Sequence, residues 1–456
     1  MLAGKAPARR TARGVVPLKI LVVSWYFPPV NTIGAVRVGK FVRFLIERGH
    51  DVGVVAGRHW GHPETMPLGV PLARVVYANS VDVNAPPRML GSMLKRLRRQ
   101  PKAKSEAGAT EETPAAPGAR GSLLNRLRDF YPTLVNVPDN RVGWLPWAYS
   151  AGRRMCRDWR PDLIFASGPP FTALLVARLL GARSGVPWIA ELRDRWADDP
   201  YHVGLAAWRQ ALDERLERSV LNSARALVTV TEPWTEFYRA KYGKPIATIY
   251  NGYDPADFAE PIAEPAPDPA APLVIGYTGS IYPGKRDPTP LFEALRLLGP
   301  DGERFRVVFW GSDPAHVLPL AERARVRHLV EVRPAVPYKE ALDLQRQSDL
   351  LLLMQWNDPR EQGSCPGKFF EYIASLRPMI VLGLADGVPA TIARQRAAGF
   401  CLNDPQDLAD QLRVWLKEKD ALGRIATLPL AAREGLSRTI QYERLEKFMD
   451  ELLRQA

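Results

Sequence analysis

LKILVVSWYFPPVNTIGAVRVGKFVRFLIERGHDVGVVA, residues 18–56, decides the fold. Its first seven residues are a nearly unbroken apolar, β-branched run, the pattern of a strand buried on both faces of a parallel sheet. A Pro- and Gly-bearing loop follows. Val38, Phe41, Val42, Leu45 and Ile46 then recur at helical spacing. Gly49 stops that helix, and residues 51–56 return to a strand, which closes a βαβ unit.

Working outward, the alternation resumes with strands expected at 163–166, 188–191 and 226–230 and helices at 171–183 and 205–221. Such alternation implies a parallel sheet with helices on both faces. Residues 255–272, PADFAEPIAEPAPDPAAP, are too Pro-dense for a helix or a central strand and read as a semi-rigid connector. Beyond them the pattern starts again, with strands expected at 273–278, 305–310, 329–332, 349–354 and 378–382. The fold class is therefore α/β, with two Rossmann-like doubly wound parallel-sheet domains, and 456 residues suit two such cores. The expected division is a basic disordered tail (1–16), an N-terminal domain (17–254), the connector, a C-terminal domain (273–437) and a last helix (438–456) returning to the N-terminal domain.

Composition narrows the setting. No stretch approaches the roughly 18 apolar residues that a spanning helix requires. The apolar run near residue 15 continues straight into the first strand, with no small-residue cleavage site, so no signal peptide is expected. Three cysteines, Cys156, Cys365 and Cys401, fit neither a disulfide framework nor a zinc site, which points to a reducing, cytoplasmic compartment. A net charge of +13 favours anionic partners. The insertion at 86–140 carries two short basic amphipathic segments, around Met89, Met93 and Leu97 and around Leu123, Leu124 and Leu127, on either side of a low-complexity stretch. Met and Leu beside Arg and Lys suit an anionic membrane surface, and the same pattern also suits helices packing on a core.

Ligands in open parallel sheets bind at the carboxyl ends of the strands, so the loops there hold the candidate residues. Gly34 ends a loop at a helix start, where backbone N–H groups face an anion or a hydroxyl, or simply form a βα turn. ELRDRW (191–196) puts Glu191 and Asp194 directly behind a buried strand, placed to orient or deprotonate a hydroxyl or to form a surface ion-pair cluster. GSIYPGKR (279–286) supplies Lys285 and Arg286, suited to clamp a diphosphate or to sit in a solvated turn. GSCPGKFFE (363–371) combines a Gly/Pro helix start with Lys368, and Glu371 lies one turn inside, suited to accept from a ribose diol. There is no GxxxxGK[ST], strand-borne GxGxxG, HExxH or paired CxxC, and no Asp-x-Asp at a strand end. Neither a metal nor a cofactor is expected.

The ordered segments WYFPP, GA, FASGPP, ELRDRW, VTVTEPWTEFY, IYNGYDPADF, IGYTGS, VVFWGSD and CPGKFFEYIASLRPMIVLG resemble the family-four retaining glycosyltransferases of the GT-B fold, over nearly the whole chain apart from the insertion and the tail. The resemblance implies two domains facing a cleft and metal-independent transfer of a sugar from a nucleotide-diphosphate donor. It places the diphosphate on Lys285 and Arg286 and on the helix start at Cys365, Pro366, Gly367 and Lys368, with Ser280 beside them and Glu371 on the ribose. Beside the resemblance, the strand-end loops themselves suggest that the acceptor hydroxyl is positioned by the loop with Asn31, Gly34 and Arg37, with Asp194 or Glu191 as the catalytic carboxylate. Two positions depart from the family pattern. Gly363 stands where the earlier of two glutamates often lies, and Ser280 stands where an arginine often follows the glycine.

The resulting expectation is an enzyme that acts on a lipid-linked or polysaccharide precursor in envelope or exopolysaccharide assembly, peripheral on the inner membrane face. A nucleotide-sugar epimerase would share the donor site and require acid and base groups at the sugar ring. A non-catalytic basic membrane or nucleic-acid binding protein would share only the charge, and the interleaved aromatic and basic pattern of nucleic-acid readers is missing, so no nucleic-acid partner is expected.

Overall fold

The structure, a computed structural model, describes residues 17–58, 64–69, 73–85, 130–200, 205–260 and 266–455. The tail at 1–16 and both basic segments of the insertion lie outside the described residues. The chain divides into two compact units, Met1–Leu227 and Val228–Ala456.

The first sheet has seven strands in the order β3-β2-β1-β4-β5-β6-β7. They are β1 (Lys19–Ser24), β2 (Asp51–Gly57), β3 (Arg74–Ala78), β4 (Leu163–Gly168), β5 (Trp188–Leu192), β6 (Ala226–Thr229) and β7 (Ile246–Thr248). β1 pairs in parallel with both β2 and β4, and Ile20, Leu21, Val22 and Val23 are fully buried. Helix α1 (Ile33–Glu47) follows β1; the Thr32 hydroxyl caps its start by accepting from the Ala35 N–H at 3.3 Å. Gly49, at φ +90°, turns the chain into β2 where a side chain would be strained.

The second sheet has six parallel strands in the order β10-β9-β8-β11-β12-β13. They are β8 (Leu273–Thr278), β9 (Phe305–Trp310), β10 (Val330–Arg333), β11 (Leu350–Met354), β12 (Met379–Leu382) and β13 (Gly399–Cys401). Leu350 to Leu353 are fully buried, as a central strand between two helix layers requires. Three strands not expected from the sequence, β3, β7 and β13, all lie at sheet edges.

In both sheets the strand order reverses at one point, between β1 and β4 in the first and between β8 and β11 in the second. Loops leaving adjacent strands there diverge to opposite faces and open a crevice. The loops at 25–32, 279–288 and 355–366 leave these strands, so the topology puts the candidate segments of each unit at its switch point.

Within the second unit, Pro255–Phe258 forms a short 3-10 turn and buries Phe258 against Tyr253, so the front of the Pro-rich connector is part of a packed core. The last helix (Arg438–Arg454) is tied to the segment before that turn: the Arg438 N–H donates to the Tyr253 carbonyl at 2.7 Å, and Gln441 Oε1 accepts from the Tyr250 N–H at 3.0 Å. No helix among the described residues is long and apolar enough to cross a membrane.

Candidate functional site

In the second unit the site is built on the end of β8 and the start of the helix Gly367–Ala374, here α2. Pro366 caps α2 in an extended conformation, and nothing lies within 4 Å of where a Gly367 side chain would begin, so the helix start is open. Lys368, in its first turn, reaches across 90 positions of sequence, and its ammonium donates to the Thr278 carbonyl at 2.6 Å. That ammonium also lies 4.1 Å from the centre of the Tyr277 ring. Gly279, at φ +114°, holds a backbone conformation that favours glycine, and a Cβ there would stand 2.8 Å from Lys368 Nζ and displace it. Burial pushes the Lys368 ammonium down to about 7, and the neighbouring Arg286 charge acts in the same direction.

The strand end itself is held by buried hydrogen bonds. The Thr278 N–H donates to the Tyr372 hydroxyl at 3.0 Å, and Gln345 Nε2 donates to Thr278 Oγ1 at 3.0 Å. Arg286 Nη1 donates to the Ser280 carbonyl at 3.0 Å, and its guanidinium lies 4.4 Å from the Tyr282 ring centre. The Lys285 ammonium and the Arg360 guanidinium both lie on the Trp356 ring, at 4.9 and 4.4 Å. Glu371 is half-buried, and burial raises its carboxyl above the ordinary range against the opposing effects of Arg438, Gln345 and Tyr338. The Cys365 thiol is buried in the apolar core and pushed up by that burial, so this residue offers its backbone rather than its sulfur.

Gly363 has a local reason to be glycine. Its φ is +90°, and a Cβ there would meet the Trp234 indole at 2.3 Å. The Gly363 carbonyl accepts from the Thr231 hydroxyl at 2.6 Å. A glutamate at this position would need both a strained backbone and a displaced tryptophan.

In the first unit the loops leaving β1, β4 and β5 meet. Arg37 and Glu191, 154 positions apart, form a buried pair: Arg37 Nε and Nη2 donate to Glu191 Oε1 at 3.0 and 2.7 Å. The Ser167 hydroxyl donates to the other carboxylate oxygen at 2.5 Å. Burial raises the Glu191 carboxyl, and Arg37 and Ser167 more than offset it, leaving the group below the ordinary carboxylate range. With both oxygens engaged, Glu191 is arranged to orient Arg37. Asp194 is exposed just past the end of β5, and Asn31 Nδ2 donates to the Thr65 hydroxyl at 3.1 Å. Gly34 sits against Arg193, which the sequence did not single out: a Cβ at Gly34 would stand 2.6 Å from Arg193 Nη1. The signal available for Arg193 was its position directly behind a fully buried strand.

Among the described residues no group of His, Cys, Asp and Glu is arranged to hold a metal ion.

Residues 34–252 match the glycosyl transferase 4-like domain family. No curated protein matches the sequence. Among solved structures, Anabaena HepE in complex with UDP is similar over 96% of this chain and 100% of that one, with TM-score 0.59 and 13% identity. HepE has also been crystallised with UDP-glucose. A glycosyltransferase from Rickettsia africae is similar over 96% and 100% of the two chains, with TM-score 0.55 and 12% identity. Sucrose-phosphate synthase from Thermosynechococcus elongatus covers 96% and 98%, with TM-score 0.57 and 15% identity. At these identities the likeness is one of fold, and it extends over both parallel-sheet domains. Residues 34–252 are thus similar to the glycosyl transferase 4-like domain, and the two parallel-sheet domains share the fold of GT-B glycosyltransferases.

Proposed function

We propose that the chain transfers a sugar, with retention at the anomeric carbon, from a nucleotide-diphosphate donor to an acceptor hydroxyl. The observation that carries this reading is the convergence of Lys368, Gly279 and Arg286 at the carboxyl end of β8. Two cations, Lys368 and Arg286, stand by the strand end at this glycine, beside an open helix start that adds oriented N–H groups. Positive charge fixed before the reaction stabilises the departing diphosphate, the role a metal plays elsewhere, so the reaction proceeds without metal or cofactor. Lys285, Arg286, Lys368 and the backbone at Ser280 and 365–367 hold the diphosphate, and Glu371 holds the ribose. HepE, similar in fold, binds UDP, and a uridine donor is the first to test.

On the acceptor side, Asn31, Gly34 and Arg37 position the hydroxyl, Glu191 orients Arg37, and Asp194 receives the proton. The acceptor is a lipid-linked or polysaccharide precursor of the cell envelope, met at the cytoplasmic face of the membrane, to which the net charge of +13 draws the protein. A thermal-shift panel of nucleoside diphosphates tests the donor site, because a ligand bound only by the folded state raises its stability by mass action. One diphosphate is expected to raise Tm, and less so in Lys285→Ala and Arg286→Ala. No shift with any of them would refute the reading.

A further inference from the structure

Arg193 is a charged group for which the site described above has no use. It stands just behind β5, and its other neighbours come from the loops after β1 and β4. Its Nε donates to the Gly168 carbonyl at 3.2 Å, and its Nη2 donates to the Pro169 carbonyl. Two adjacent carbonyls therefore fix one edge of the guanidinium. The other end, formed by Nη1 and the second hydrogen of Nη2, lies beside Gly34, which also has the Tyr26 ring next to it. Carbonyls fix the orientation and supply no formal counter-charge.

The nearest carboxylate is already spent. Glu191 gives one oxygen to Arg37 and the other to Ser167, so it acts on Arg193 only through space. Burial pushes the Arg193 guanidinium down from its ordinary value, and Glu191 and Asp194 oppose that shift without a direct contact. A partly desolvated cation held this way is stabilised by an anion that takes its remaining edge. The free end of a guanidinium presents two parallel N–H donors, the fork that matches two oxygens of a phosphate.

We propose that Arg193 is the binding group for a phosphate or diphosphate carried by the acceptor substrate. The proposal rests on the reading that the second unit holds the donor, and it adds that the acceptor is anionic close to the hydroxyl that reacts. Gly34 belongs to the same device: its missing side chain leaves the space that Nη1 occupies. Arg193 is thus a specificity-determining residue for the acceptor, and the donor site does not need it.

The test uses the full chain with Lys285→Ala and Arg286→Ala, which weakens diphosphate binding at the donor site. Calorimetric titration with inorganic pyrophosphate and with geranyl diphosphate reads the remaining site. Both are expected to bind, and Arg193→Gln to weaken both by at least about tenfold, the loss of a charge-assisted fork. Arg193→Lys, which keeps the charge and loses the fork, should fall between. Gly34→Ala, which displaces Nη1 and leaves Arg193 in place, should reproduce most of the loss. Tighter binding of geranyl diphosphate than of pyrophosphate identifies a lipid-borne group, and equal binding identifies the phosphates themselves as the determinant. UDP affinity, measured in Arg193→Gln with the donor residues intact, should match wild type and thereby also shows that the variant is folded. Pyrophosphate and geranyl diphosphate binding unchanged by Arg193→Gln would overturn the proposal. Failure of wild type to bind UDP would instead count against the donor reading.

Discussion

Raising the pH from 7 to 9 should release a nucleoside diphosphate from this protein, and Lys368 is the reason. In the free protein, burial and the Arg286 charge bring the Lys368 ammonium down from 10.5 to about 7, so above neutrality this lysine is mostly uncharged. A diphosphate beside it favours the charged form and carries it back toward 10.5. Binding therefore takes up a proton at pH above 7 and none well below it. With one linked proton and a free-state value of about 7, Kd should weaken about 50-fold between pH 7 and 9, and only about twofold between pH 6 and 7. Titration calorimetry of UDP at pH 8, in two buffers of different ionisation enthalpy, should report uptake of about 0.9 proton per UDP bound. Lys368→Arg should make affinity nearly independent of pH over this range, and Lys368→Met should be weak throughout. A Kd that is flat between pH 7 and 9 in wild type, with no proton uptake, would refute the assignment of Lys368 to the diphosphate.

Other consequences follow from named contacts. Gly279→Ala places a Cβ 2.8 Å from Lys368 Nζ on a backbone at φ +114°, and should cost about 1–3 kcal/mol in urea unfolding together with donor affinity. Glu191→Ala leaves Arg37 buried without its carboxylate and should destabilise by about 3–5 kcal/mol, with Arg37→Ala/Glu191→Ala losing less than the sum of the single changes. Because the Glu191 carboxyl is held below its ordinary range, its contribution is present at neutral pH and is lost as pH falls through its folded value. Denaturation curves at stepped acidic pH should show wild type losing more stability than Glu191→Gln. Gly363→Glu restores the residue often seen in the family and should nevertheless lower Tm, because of φ +90° and the clash of the new Cβ with the Trp234 indole. A Tm equal to wild type would count against that account.

Burial on both faces is what made the sheets readable. β1, β4, β5, β8, β9, β11 and β12 are central or near-central strands whose residues are almost all apolar, and their composition announces them. β3, β7 and β13 are not legible in the sequence because an edge strand of three to five residues with half-exposed side chains carries too few apolar positions to show a period. The donor loops were readable as Gly, Pro and basic residues behind strands. Their geometry was not, because it depends on pairs far apart in the chain. Nothing local in CPGKFFE says that Lys368 spans to Thr278, and nothing in GSCPG says that Trp234 fills the space beside Gly363. Arg37 was readable as a charge near a helix start, and its burial appears only once β5 brings Glu191 beside it. In ELRDRW the acids read as proton carriers, whereas the half-buried arginine between them holds the more specific geometry.

The most direct test of the account is hydrogen–deuterium exchange of the full chain with and without the nucleoside diphosphate that raises its Tm. Protection concentrated in residues 278–288 and 363–372 is expected, and its loss in Lys285→Ala/Arg286→Ala. Protection confined to other segments, or unchanged by that double substitution, would contradict a donor site built on the ends of β8 and β11.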